Sequence, residues 1–133
     1  MITKVFPAED DALADAIAFV EEELDNLGCS MKIVMQVTVC VEEMFVNVAH
    51  YAYGGERGYV EMRIDSEARK LSITLVDEGV EFDPLAKEDP DITLSAEERR
   101  IGGLGIFMVK KSMDEVEYKR KDNKNYFTMR KEI

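Results

Sequence analysis

The 133-residue sequence contains one histidine and two cysteines, which is too few for several common kinds of site. Neither a zinc site nor a Ser/His/Asp triad is suggested. Cys29 and Cys40 cannot form a disulfide framework and lie in no C-x-x-C motif, so we expect reduced thiols in a cytoplasmic protein. No apolar run approaches the length that spans a bilayer, and the first residues predict a short strand instead of a signal peptide.

Basic residues are also in the minority, with 17 Lys and Arg against 28 Asp and Glu and a net charge of -11 at pH 7. Binding to nucleic acid and to anionic membranes depends on basic side chains, so we expect neither. The acidic balance is compatible with a basic protein partner. The length predicts one domain, residues 1–133, with enough chain to bury a core.

Hydrophobic periodicity predicts a strand, two helices, two strands, a long loop, a helix and two strands. This order predicts an α+β sandwich with the helices on one face of the sheet. The central helix runs from about Met31 to Tyr53 and ends at two glycines, and a weakly patterned loop follows from Phe82 to Ile101. The last three elements are predicted at Ile106–Met113, Val116–Arg120 and Asn125–Lys131.

The central helix carries the first candidate site residues. Glu43 and Asn47 are four residues apart, so they share one helix face. Asn47 offers a carbonyl oxygen of the kind that binds magnesium, and Glu43 would accept a proton from a hydroxyl or water near that metal. Taken alone, Asn47 is more often a helix asparagine hydrogen-bonded to backbone, and Glu43 is more often an exposed glutamate.

Two glycine-bearing segments downstream complete the candidate site. Asp77 continues the alternating series Leu71, Ile73 and Leu75, so it is predicted to face the apolar side of the sheet. A carboxylate there needs a partner, which a ligand would provide. Gly102-Gly103-Leu104-Gly105 precedes a helix and offers backbone N–H groups to phosphate, although a flexible hinge would also explain it. Together the segments predict a site for a phosphorylated ligand with a metal ion.

These three segments resemble the N box and the two glycine boxes of the Bergerat-type ATP-binding fold. Gyrase, a class of heat-shock chaperones, histidine kinases and MutL share that fold. Within it the chain most resembles the anti-sigma factor serine protein kinases of the RsbW and SpoIIAB type, from Ile2 to Lys131. The stretch Gly103–Val116 is similar to that subfamily throughout. The resemblance implies a two-layer α/β sandwich with a mixed sheet and helices packed on one face.

The resemblance also implies a role for each candidate residue. Asp77 would hydrogen-bond the adenine amino group, and Thr128 would lie near adenine and a bridging water. Asn47 would hold Mg²⁺, and Glu43 would activate the serine hydroxyl of a protein substrate. The other nucleotide-binding positions implied are Gly79, Gly103, Leu104 and Gly105.

The function implied is that of an ATP-dependent serine/threonine protein kinase acting as an anti-sigma factor. It would bind a sigma factor, phosphorylate a STAS-type anti-anti-sigma partner, and form a homodimer.

One position departs from the family pattern, because Glu81 stands at the second glycine of Asp-x-Gly-x-Gly. Its bulk is expected to alter the path into the lid, residues Pro84–Ile101, or to weaken nucleotide binding. A nucleotide-gated binding module without kinase activity therefore stays open. The catalytic half of a histidine kinase fits less well, since no helical segment carries a phosphoacceptor histidine.

Overall fold

Five strands form a sheet with helices on one face in the computed structural model, which describes residues 1–86 and 104–133. The side chain of Leu104 is also outside the description. The strand order in the sheet is β1-β2-β3-β5-β4. In chain order the elements are β1 (Ile2–Pro7), a short 3₁₀ turn (Asp10–Ala12), α1 (Leu13–Asn26), α2 (Met31–Asn47), a π-helical turn (Val48–Ala52), β2 (Tyr59–Glu67), β3 (Lys70–Asp77), α3 (Leu104–Ser112), β4 (Glu115–Lys121) and β5 (Lys124–Glu132).

The described strands pair in antiparallel fashion throughout. The α+β sandwich is therefore confirmed, whereas the expected mixed sheet is wrong. Two of the pairings are hairpins whose turn residues, Ala68-Arg69 and Asp122-Asn123, all have positive φ. Such two-residue turns match the twist of antiparallel strands and leave no room for a parallel crossover. The connection from β1 to β2 passes through α1 and α2 and returns the chain to the end of the sheet where β1 finished, because Pro7 is opposite Tyr59. In contrast, β4 begins at the end of the sheet opposite to the end of β3, because Glu115 is opposite Arg130 whereas Asp77 is opposite Asn125.

The core lies between the sheet and the three helices, and α2 is its central element. Ser30 caps α2 by accepting a hydrogen bond from the backbone N–H of Ile33 at 3.3 Å, as the sequence predicts. The predicted inner stripe of α2 packs on the apolar face of β3. Its buried members are Val37, Val41, Met44 and Val48, and they share the core with Leu71, Ile73 and Leu75 of β3.

The helical run Met31–Ala52 is long and apolar enough to cross a membrane by length and composition, and no other helix among the described residues meets that test. The expectation that no apolar run approaches this length is therefore wrong. A helix at the centre of a globular core meets the same test, because its inner stripe is apolar for packing. In this chain the inner stripe contacts the sheet.

Candidate functional site

An apolar pocket opens where the C-terminal end of α2 and the π-helical turn after it meet the C-terminal end of β3 and the start of β5. Its volume, including the open mouth, is about 580 Å³. The lining is mostly aliphatic and aromatic, with Met44 and Leu75 among its residues. Three polar side chains interrupt this lining, namely Asn47, Asp77 and Asn125. An apolar cavity with a few convergent polar groups is the usual form of a ligand site.

Asp77 lies at the end of β3 with only 5% of its surface exposed. One carboxylate oxygen, Oδ1, accepts hydrogen bonds from the backbone N–H of Gly79 and from Asn125 Nδ2, both at 2.9 Å. Within residues 1–86 and 104–133, no donor bonds to the other oxygen, Oδ2. The parity prediction is thus confirmed, because the carboxylate faces the covered side of the sheet.

Burial raises the pKa of Asp77 above its usual value of 3.8. The hydrogen bonds from Asn125 and Gly79 and the positive charge of Arg120 act in the opposite direction and lower it. Desolvation is the larger effect, so the ionised carboxylate carries a free-energy cost in the folded state. A buried carboxylate held against such a cost is typical of functional sites.

Asn125 is the main site residue that the sequence reasoning missed. It is opposite Asp77 in the β3–β5 register and only 6% exposed. It belongs to the same alternating series as the core residues Phe127 and Met129. A polar residue in an otherwise apolar series was a signal available in the sequence, but its meaning depended on knowing which strand β5 pairs with.

Thr128 does not belong to the site, which corrects the role implied by the resemblance. Its cross-strand neighbour is Thr74, and the two hydroxyl oxygens are 2.9 Å apart. Because side chains alternate along a strand, Thr128 points away from the face that carries Phe127 and Asn125. The position opposite Asp77, where a residue can contact both that carboxylate and the pocket, is occupied by Asn125.

Glu43, Asn47 and Gly105 come together as the order of the boxes predicts. Asn47 lines the pocket, and Glu43 lies one turn earlier on α2, partly exposed. The start of α3 packs so closely on α2 that a Cβ at Gly105 would collide with the Glu43 carboxylate. Of the other predicted positions, Leu104 is the first residue of α3, while Gly103 and most of the predicted lid lie outside the described residues.

Gly79 has a packing role beside the pocket. A Cβ at this position would collide with the carbonyl oxygen and the Cβ of Ala52. The next residue, Val80, donates its backbone N–H to the same carbonyl at 2.8 Å. A glycine is therefore required for the loop after β3 to pack against the turn after α2. Glu81, which follows, is exposed and does not line the pocket.

Solved structures share this architecture. The RsbU and RsbW domains of Rv1364c from Mycobacterium tuberculosis match with a TM-score of 0.65 and 12% identity, over 99% of this chain and 32% of that one. The SiaB–SiaC complex from Pseudomonas aeruginosa matches with a TM-score of 0.64 and 17% identity, over 100% of this chain and 90% of that one. The chain thus spans about a third of the Mycobacterium protein. At these identities the likeness shows the fold alone, which is a Bergerat-type sandwich.

The sequence then identifies the family. The chain belongs to the histidine kinase-like ATPase domain family, whose model matches residues 6–131. It is 23% identical over 116 residues to the serine/threonine-protein kinase BtrW of Bordetella bronchiseptica, covering 86% of this chain and 82% of that protein. It is 27% identical over 120 residues to the serine-protein kinase RsbW of Listeria monocytogenes, covering 86% and 76%. The resemblance to kinases of the RsbW type is confirmed.

Proposed function

We propose that this protein is an ATP-dependent serine/threonine protein kinase that acts as an anti-sigma regulatory factor. The observation that carries the proposal is Asp77 Oδ2, which accepts no hydrogen bond from residues 1–86 and 104–133 and lies beneath an apolar pocket that Asn47 also lines. Glu43 lies one helical turn from Asn47. One end of the site therefore suits a flat base, and the other carries the residue types that metal binding and proton transfer require.

The adenine end of the pocket fits the residues present. Adenine has two apolar faces and one exocyclic amine, which donates hydrogen bonds. The amine would donate to Asp77 Oδ2, and the ring faces would contact apolar walls that include Met44 and Leu75. A hydrogen bond to a charged acceptor contributes about 1.5–3 kcal/mol, enough to select an amine over a carbonyl at that position of the base.

The metal and phosphate end is proposed from residue chemistry. Mg²⁺ takes one or two protein oxygens and completes its shell with phosphates and waters, so the Asn47 carboxamide oxygen would suffice as a protein ligand. In the described part of the chain, no group of three acidic, histidine or cysteine side chains is placed to hold a metal by itself. The bound ion would neutralise charge on the phosphates. Gly103, Leu104 and Gly105 are proposed to bind the phosphates.

Glu43 is proposed as the general base toward a serine hydroxyl of the protein substrate. Phosphoryl transfer requires little covalent chemistry from the protein, so positioning decides the rate. The approach of Gly105 to the Glu43 carboxylate places that carboxylate where α2 meets the start of α3. α3 is also the helix that follows the second glycine box, so the proposed base and the proposed phosphate site adjoin each other.

The proposed partners follow from the relatives together with the charge. Named relatives are serine-protein kinases, and one structural neighbour is the SiaB–SiaC complex. We propose that this chain phosphorylates a STAS-type anti-anti-sigma protein and binds a sigma factor, as a homodimer in the cytoplasm. The net charge of -11 favours partners with basic contact surfaces.

Phosphotransfer to STAS-domain proteins from the source organism tests this function. Each is incubated with the chain and Mg-ATP, and phosphoserine is measured by mass spectrometry. We expect one or a few substrates, loss of transfer in Glu43→Gln with ATP binding retained, and normal transfer in the matched control Glu42→Gln, whose side chain is exposed on the same helix. Transfer that survives in Glu43→Gln would remove that residue from the mechanism.

A nucleotide-gated binding module without kinase activity is the second candidate. It is favoured by Glu81, which replaces a family glycine and places a negative charge near Tyr118. Burial raises the pKa of Tyr118, and the charge of Glu81 raises it further. Under this alternative, ATP or ADP would change the affinity for a STAS-domain protein, while no phosphoserine would form. The same incubation, followed by affinity measurement with and without nucleotide, separates the two functions.

A further inference from the structure

The buried Asn125 carboxamide has every hydrogen-bonding position occupied by protein. Its Nδ2 donates to Asp77 Oδ1 at 2.9 Å and to the backbone carbonyl of Val80 at 2.8 Å. Its Oδ1 accepts from the Tyr118 hydroxyl at 2.5 Å and from Arg120 Nη1 at 3.2 Å. A carboxamide has two N–H donors and two acceptor lone pairs, so it has no capacity left for a ligand.

The chemistry of its neighbours determines the orientation of this carboxamide. The Val80 carbonyl can only accept a hydrogen bond, and the Arg120 guanidinium can only donate one. Rotating the amide by half a turn would place donor against donor at Arg120 and acceptor against acceptor at Val80. The Asn125 nitrogen must therefore face Asp77.

We propose that Asn125 is a positioning residue for nucleotide binding, which with Tyr118 and Arg120 commits one oxygen of Asp77 to the protein and leaves the other to the base. The inference rests on the proposed function, since it assumes that a nucleotide occupies the pocket. We call the three side chains of Asn125, Tyr118 and Arg120 the clamp. The clamp acts on the ligand through Asp77, not by contact between Asn125 and the base.

The clamp joins three parts of the chain. Asn125 is on β5, and Tyr118 and Arg120 are on β4. Arg120 Nη1 also donates to the carbonyl of Gly79 at 2.8 Å. The loop after β3 is thus tied to the β4–β5 hairpin at two backbone carbonyls, those of Gly79 and Val80. A carboxylate held on both sides of its Oδ1 cannot rotate to offer that oxygen to a ligand.

The clamp also favours the ionised form of Asp77 in a buried place. Burial raises the pKa of Asp77, whereas the Asn125 hydrogen bond and the Arg120 charge lower it. Without those contributions the carboxylate would bind a proton more readily, and a protonated oxygen is a poorer acceptor for an amine. The position of Asp77 and its charge therefore both depend on Asn125 and Arg120.

The test replaces the hydrogen-bond donor of Asn125, its Nδ2 group, by an acceptor oxygen. Asn125→Asp keeps oxygens for Tyr118 and Arg120 and places a second carboxylate against Asp77. Two adjacent carboxylates repel each other when both are ionised, so one pKa rises and a shared proton bridges them at low pH. ADP affinity of variant and wild type is measured by calorimetry between about pH 5 and about pH 8, and the ratio cancels the titration of the phosphates.

We expect the variant to bind ADP at least about tenfold more weakly than wild type near pH 8, and within about threefold near pH 5. A merely structural role for Asn125 would give a ratio that does not change with pH. That result in a folded variant would overturn the inference while leaving the nucleotide site in place. Wild-type protein that binds neither ADP nor ATP would overturn the nucleotide site itself and the inference with it.

A second variant keeps the proposal testable should Asn125→Asp fail to fold. Tyr118→Phe removes one hydroxyl from the clamp and preserves the aromatic wall of the pocket. We expect ADP affinity to fall about two- to tenfold. The matched control is Tyr126→Phe on β5, whose ring lies beneath Arg63 on the other face of the sheet and whose loss of a hydroxyl leaves the affinity unchanged. Equal affinities for the two variants would count against the clamp.

Discussion

Replacing Asp77 by asparagine isolates the one polar contact on which the proposed base recognition depends. The carboxamide oxygen can accept the two hydrogen bonds that Oδ1 accepts now, from Gly79 and Asn125. The new Nδ2 then takes the position of Oδ2 and points into the pocket. The substitution keeps the number of heavy atoms in the side chain. It replaces the oxygen that would accept a hydrogen bond from the adenine amine by an N–H group, which can only donate one.

The expected loss of affinity follows from the hydrogen bond removed. A hydrogen bond to a charged group contributes about 1.5–3 kcal/mol, which corresponds to about 10- to 150-fold in Kd for ATP or ADP. Inosine triphosphate differs from ATP by a carbonyl in place of the amine. The asparagine donor suits that carbonyl, so the preference for ATP over inosine triphosphate should shrink or reverse in Asp77→Asn.

The same substitution should not destabilise the fold. The folded pKa of Asp77 is raised above 3.8, so the ionised carboxylate costs stability at every pH above that raised pKa. The cost is relieved as pH falls through the raised pKa toward 3.8. Asp77→Asn removes the cost, so its melting temperature at neutral pH should equal or exceed that of wild type. The difference should shrink on acidification through this window.

Calorimetric titration with ATP, ADP and inosine triphosphate, beside thermal melting from neutral to acidic pH, measures both effects. Asp65→Asn is the matched control, since it makes the same chemical change on an exposed side chain of β2. It should leave both nucleotide affinity and preference unchanged. The reasoning is refuted by a folded Asp77→Asn that binds ATP as tightly as wild type, or by one that loses stability at neutral pH.

Two further predictions concern the other end of the site. Asn47→Ala should abolish the enhancement of ATP binding by Mg²⁺ while retaining metal-free binding of the base, as measured by titration with and without the ion; enhancement that persists would remove Asn47 as a ligand. Gly105→Ala should displace the Glu43 carboxylate, because that flexible group is what a Cβ would meet. The rate of phosphotransfer should fall more than tenfold. The free energy of unfolding should stay the same or rise by up to about 1 kcal/mol, because alanine favours helix more than glycine does. An unchanged rate of transfer would argue against Glu43 as the base.

The element order followed from hydrophobic periodicity, because that pattern is local. The stripe of Val37, Val41 and Met44 predicts a helix buried on one side, and the structure buries those residues. The alternation that ends at Asp77 predicts on which face the carboxylate lies, and that face is the covered one. Each of these conclusions needs only the residues within one element.

The pairing of β5 with β3 could not be predicted in the same way. Register depends on which strands become neighbours after folding, and no feature inside β5 states that Asn125 will be opposite Asp77. A shift of one residue in the β3–β5 register would move Thr128 to the pocket face. The family pattern does not fix that register, so it selected Thr128, which lies on the face of the sheet away from the pocket. The helix-borne residues Glu43 and Asn47 are free of this ambiguity, since their spacing alone sets their face.

The two described glycines of the boxes share a geometric cause, and it bears on how their substitutions should be interpreted. Gly79 is pressed against Ala52 in the turn after α2, and Gly105 against Glu43 on α2 itself. Both boxes therefore approach the same helical run, Met31–Ala52, and a side chain at either position would push against that run before it met a ligand. Lost nucleotide binding in a glycine variant would not by itself show a phosphate contact. The Gly105→Ala comparison separates the two causes, because ADP affinity that survives while transfer falls would assign that glycine to the placement of Glu43.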